Sequence, residues 1–181
     1  MVAVQLRMVG CRRRRGTASV LGHAIRAALA IFVLFALVEA GWAQSDKPTA
    51  QQVAAVRSCA EKNQDDIAEA ERRCLFNLVA TPCQKTPEGQ SNLGTADCFR
   101  VETMIWDDLL NDNYKKLRAD IDDGQAGSLR DMQRAWIASR DSTCGFYDVK
   151  INGSMAIPMR EACLARETAH RALLLKFFDR L

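Results

Sequence analysis

Six cysteines, Cys59, Cys74, Cys83, Cys98, Cys144 and Cys163, constrain this chain more than any other feature. A seventh, Cys11, lies in a segment that reads as a secretory signal peptide, residues 1–43. There a basic block, Arg12 to Arg15, precedes an apolar run from Ala27 to Val38 that falls short of the roughly 20 residues a membrane-spanning helix needs. Gly41-Trp42-Ala43 supplies a small-x-small cleavage site, with Ala40 as an earlier alternative. An uncleaved anchor is the competing reading, and it is the only membrane contact the sequence suggests. Cleavage leaves an even number of cysteines in an exported chain, which implies three disulfides and a periplasmic or secreted location.

The remaining chain of about 138 residues suits one domain with a modest core. Residues 44–50 form a short polar tether and 51–181 a helical domain. Gln51 to Val79 holds neither Gly nor Pro, and Val53, Val56, Ala60, Ile67, Ala70, Cys74 and Leu78 recur at helical spacing, so the stretch reads as one helix. Thr81 to Gly94, with Pro82, Pro87, Gly89 and Gly94, reads as a loop pinned at Cys83. A second helix is expected from Thr95 or Asp97 to about Asp122, its stripe running through Phe99, Trp106, Leu110, Tyr114 and Leu117. Ser128 caps a third that Gly145 stops. Phe146 to Ile157 is expected to be irregular, and Pro158 opens a last helix towards Phe178. No segment alternates with period two. The fold class is therefore all-α, a disulfide-braced bundle or array of about four helices.

Helix geometry narrows the fifteen possible disulfide connectivities. Cys59 and Cys74 on one continuous helix would stand about 22 Å apart, too far for bridged Cα atoms, which lie within about 7 Å. A nested hairpin, Cys74–Cys83 at the turn and Cys59–Cys98 at the base, is the simplest solution. It leaves Cys144–Cys163 to tie the third helix to the fourth.

Several chemistries lack their parts. Beyond the leader the chain has a single histidine, His170, so neither a metal set of the usual nitrogen and sulfur type nor a Cys-His nucleophile can be built. No phosphate-cradling glycine loop or nucleophile elbow occurs. No cofactor, metal site or enzymatic activity is expected. Without residues 1–43 the chain carries 19 Lys plus Arg against 21 Asp plus Glu, so nothing favours nucleic acid and a cationic partner is electrostatically easier.

Gln133, Trp136 and Arg140 follow at steps of three and four, forming one ridge that ends at Cys144. Glu102 stands one turn from Trp106 on the preceding helix. A buried guanidinium needs a bonded acid, so Glu102 is expected to meet Arg140 or Arg171 in a core clasp that includes Tyr114. On that reading Arg140→Ala removes one member of a buried pair, at about 3–5 kcal/mol.

Together these residues spell E-x3-WD-x-LLN-x2-Y-x2-L from Glu102 to Leu117, Q-x2-WI-x2-RD-x2-C from Gln133 to Cys144, and T-x2-R from Thr168 to Arg171. The set resembles the LprI-like lysozyme-inhibitor family of small exported bacterial proteins. The resemblance implies a helical domain that binds a lysozyme-type hydrolase. Asp107, Asp108 and Asp112 are candidates for steering a cationic enzyme. The segment from Phe146 to Ile157, with Phe146, Tyr147 and Asn152, is the candidate for insertion into a muramidase cleft. The alternative is a non-catalytic cell-envelope module that binds another protein or a small ligand.

Overall fold

The computed structural model describes residues 47–181. The leader and the first three residues of the tether, 44–46, lie outside the described residues. All regular structure among the described residues is helical: α1 (Ala50–Lys62), α2 (Ile67–Cys74), α3 (Ala80–Gln84), a 3-10 turn (Glu88–Gln90), α4 (Asn92–Ala119), α5 (Asp123–Lys150) and α6 (Ala156–Phe178). None of these helices is long and apolar enough to cross a membrane.

The expected first helix is two helices. Thr49 and Gln52 cap the start of α1 reciprocally, and Asn63 ends it by turning its side-chain amide onto the Cys59 carbonyl at 2.8 Å. Asp66 then caps α2 by accepting from the Glu69 backbone N–H at 3.0 Å. Asn and Asp side chains compete with the helix for backbone partners, so a stretch without Gly or Pro can still break. The break folds α2 back on α1 and overturns the nested disulfides. Cys59 bonds Cys74 with Cα atoms 5.7 Å apart, and Cys83 bonds Cys98 at the same 5.7 Å. The third bridge joins Cys144 to Cys163.

The expected loop after Val79 is largely folded. α3 accepts Pro82 because its third position has no intrahelical N–H bond to lose. The chain then packs tightly on itself: a Cβ at Gly89 would lie 2.2 Å from the Cys83 carbonyl oxygen, and one at Gly94 would lie 1.8 Å from that of Glu88. Neither position tolerates a side chain. Ser91 therefore caps α4 three residues ahead of Gly94, accepting from its N–H at 2.9 Å, while Thr95 instead ties α4 to the 3-10 turn through the Gly89 carbonyl.

α5 starts earlier and ends later than its glycines suggest. Asp122 and Gln125 form a reciprocal capping box, which outweighs the roughly 1 kcal/mol that each of Gly124 and Gly127 costs a helix. Ser128 sits within the helix and donates to the Gly124 carbonyl. Gly145 is likewise helical, so Phe146 to Lys150 extend α5 rather than form a loop. Only Ile151 to Met155 turns the chain, and Pro158 is the third residue of α6.

α4 and α6 form the body of the domain. Ala165, Ala169 and Ala172 are fully buried on α6 and let its backbone approach α4, whose buried side chains include Ile105, Trp106 and Leu109. Asn113 crosses the interface to donate to the Ala172 carbonyl at 2.9 Å. Val56 of α1, Ala70 and Cys74 of α2 and Val79 close the same core, with each large apolar side chain contributing about 1.5–3 kcal/mol on burial. α6 also lies along α5, whereas α4 and α5 scarcely approach each other. A groove therefore opens between α4 and α5, with α6 behind it.

Candidate functional site

The expected clasp divides into two unconnected parts. Glu102 is fully buried on α4, but neither arginine reaches it. One carboxylate oxygen accepts from the Phe76 backbone N–H at 2.6 Å and from the Trp106 indole N–H at 3.2 Å. The other accepts from the Ala80 N–H at 2.9 Å. Glu102 thus caps α3 from a different helix and holds the turn in which Phe76 takes a left-handed φ of 65°. Burial pushes its carboxyl above the usual range, opposed by these three donors. The sequence showed an acid in a helix stripe but not the turn 26 residues upstream that needed an acceptor.

The second part lines the groove. Leu110, Asn111 and Tyr114 of α4 face Gln133, Trp136 and Arg140 of α5 across a concavity of about 260 Å³, with Asp107 and Ile137 at its edges. Arg140 stands on the rim, its side chain 20% exposed and paired with its neighbour Asp141 at 2.7 Å. Its guanidinium carbon lies 4.9 Å from the centroid of the Trp136 ring, and that of Arg171 lies 5.5 Å from it. Arg171 is buried; its Nε–H donates to the Gln133 side-chain oxygen.

The buried-pair reading of Arg140 is therefore corrected, because its acid is a half-exposed neighbour rather than Glu102. Arg140→Ala is expected to cost about 1 kcal/mol in urea unfolding, the scale of an exposed ion pair plus one cation–π contact. A loss of about 3–5 kcal/mol would restore the buried pair.

The other candidates fall into two places. Asp107, Asp108 and Asp112 are all exposed midway along α4. Asp107 accepts from Asn111 at 3.0 Å, Asp112 pairs with Arg57 of α1 at 2.7 Å, and Asp108 borders a second shallow depression with Val53 and Met104. Phe146, Tyr147 and Asn152 lie around the α5–α6 turn, beside the start of α4. Asn92, the first residue of α4, touches that turn through Ser154 at 2.8 Å. Asp107 is fifteen residues further on, about 22 Å along the helix, so acids and tip do not form one patch.

The tip is braced. Cys144–Cys163 crosses its base, and Arg160 of α6 bonds Asp148 of α5 at 2.9 Å and Glu161 at 2.9 Å. Arg100 of α4 reaches Glu161 at 3.5 Å. Beyond these contacts the tip presents apolar surface: Phe146 is 60% exposed, Val149 76%, Met155 52%, and Leu93 at the start of α4 59%. Arg100, Arg160 and Glu161 were missed in the sequence because nothing local distinguishes them from solvated charges. Among the described residues no three His, Cys, Asp or Glu side chains gather as metal ligands would.

Comparison with curated proteins and with solved structures finds no match. The family model described as lysozyme inhibitor LprI matches residues 83–175, just over half of the chain. The matched segment takes in Cys83, both later disulfides, α4, α5 and nearly all of α6, together with the groove and the tip. A chain matched over that span, with its three disulfides and wholly helical described fold, belongs to the LprI lysozyme-inhibitor family.

Proposed function

We propose that this chain is an exported inhibitor that binds a lysozyme-type muramidase outside the cytoplasm, with the α5–α6 tip as the element that enters the sugar cleft. The carrying observation is the pairing of apolar exposure with rigidity at the α5–α6 turn. Phe146 and Val149 at the end of α5 and Met155 in the turn are each more than half exposed, yet the two helices that flank the turn are fixed by a disulfide and by the Asp148–Arg160 pair. Exposed apolar anchors on a prebraced element lose little conformational freedom on binding. Blocking a cleft calls for a convex element, and the groove between α4 and α5 is concave. Asp107 and Asp108, remote from the tip, act through the field that steers a cationic enzyme rather than by contact. Export to an oxidising compartment accords with three disulfides.

The test is a cell-wall lysis assay in which the oxidised chain is titrated against several lysozymes. Lysis is expected to slow with at least one. No slowing by any at micromolar excess overturns the proposal and leaves a binding module of another kind. If inhibition occurs, the double variant Phe146→Asp, Val149→Asp is expected to weaken it about 100-fold, or roughly 3 kcal/mol, without a change in melting temperature. Undiminished inhibition would move the contact surface away from the tip.

A further inference from the structure

Arg171 is 6% exposed, and no acid bonds it. Its charge is met by the face of Trp136 and by a single neutral acceptor, the Gln133 side-chain oxygen. That oxygen occupies Nε only. Nη2, the other donor on the same edge of the guanidinium, is buried without a partner. One turn earlier on α6 the Thr168 hydroxyl is also buried and unpartnered. The T-x2-R motif thus sets two buried polar groups without a partner about one turn apart on α6, and Arg171 backs onto the α4–α5 groove through Gln133 and Trp136, which line it.

An edge made of Nε–H and Nη2–H matches the two oxygens of a carboxylate. Gln133 supplies one oxygen where that edge takes two. A water molecule would satisfy Nη2 but would leave a buried cation without a counter-charge, which is the larger cost. Burial holds the Arg171 guanidinium below its ordinary pKa, in keeping with an uncompensated charge. We propose that the α4–α5 groove binds a small organic carboxylate, whose oxygens take the Nε and Nη2 edge of Arg171 as the Gln133 amide swings aside, with Arg140 closing over it from the rim. The groove volume, about 260 Å³, suits a small acid rather than a protein segment. Asp107 on the opposite wall directs the anion to the α5 side and disfavours multiply charged anions such as phosphate. The site is separate from the tip and does not depend on lysozyme binding.

The probe is sodium acetate. The oxidised full chain is melted in acetate, in chloride and in phosphate at equal ionic strength and neutral pH. Acetate is expected to raise the melting temperature saturably, by about 2 to 4 °C, and chloride and phosphate are not. Gln133→Glu places a carboxylate on the Arg171 edge from within the chain, so it is expected to melt higher in chloride and to lose the acetate response. Arg140→Gln, on the rim, is expected to fold normally and to need several-fold more acetate. Equal melting of the parent chain in acetate and chloride overturns the site. So does an acetate response retained in full by both variants, which would mark a general salt effect.

Discussion

Glu102→Ala is expected to remove about 3–5 kcal/mol of folding stability, although Glu102 touches no opposite charge. The reason is the Phe76 and Ala80 N–H groups, which both point at its carboxylate. Deleting it strands two backbone donors inside the protein, at about 1–3 kcal/mol each, and leaves the Trp106 indole N–H unpaired as well. Urea unfolding measures the loss, and a cost below 1 kcal/mol would mean that water replaces the carboxylate. Glu102→Gln fills the same space but sets an amide NH₂ against one backbone N–H, so it is expected to fall between the two. The pH dependence has a definite sign. Burial raises the folded pKa of Glu102 above its unfolded value, so the folded state holds the proton more tightly. Its stabilising contribution is complete below the unfolded carboxylate range and is lost as pH rises from there through the raised folded pKa. The stability advantage of the parent over Glu102→Gln should therefore shrink as pH rises through that window. An advantage that grows with pH would contradict the raised pKa.

Full reduction is expected to unfold the domain. Each of the first two disulfides closes a chain separation of 15 residues and the third one of 19, and a loop of that size stabilises by about 3 kcal/mol in the chain-entropy account. Three together reach roughly 9 kcal/mol, the scale of a whole domain's stability at about 5–15 kcal/mol. Far-ultraviolet circular dichroism in excess reductant should show the helical signal largely lost, and retention of a cooperative melt near the oxidised temperature would show that the α4–α6 core suffices. Peptide mapping without reduction checks the connectivity: Cys59 with Cys74, and Cys83 with Cys98.

Where the sequence reading of the fold departed from the structure, a local rule competed with another local rule. Absence of Gly and Pro argued for one helix from Gln51 to Val79, but the Asn63 and Asp66 side chains offered the backbone better partners and broke it. That one break changed two disulfides, since the nested pairing rested on a continuous helix. Gly124, Gly127 and Gly145 argued for helix ends in α5, yet the Asp122–Gln125 box and packing along α6 outweighed them. The stop at Gly145 made the tip look like a long loop, when most of it is helix.

The candidate site was legible as a set of residues and not as an arrangement. Spacing by three and four placed Gln133, Trp136 and Arg140 on one ridge, and they do share one groove wall. Which acid met which guanidinium was a question about helices distant in sequence. Glu102 turned towards the backbone of Phe76 and Ala80, Arg171 met Gln133, and Arg140 turned to Asp141. By itself the sequence determined the helical class, the cysteine count and the family motifs, because these depend on residue type and on the fixed period of the helix. Only the tertiary structure decided the first two disulfide pairs, the role of Glu102 and the half-filled edge of Arg171. Those depend on which buried donor finds which acceptor, and that is settled when α4 and α6 pack together and leave α5 standing apart from α4.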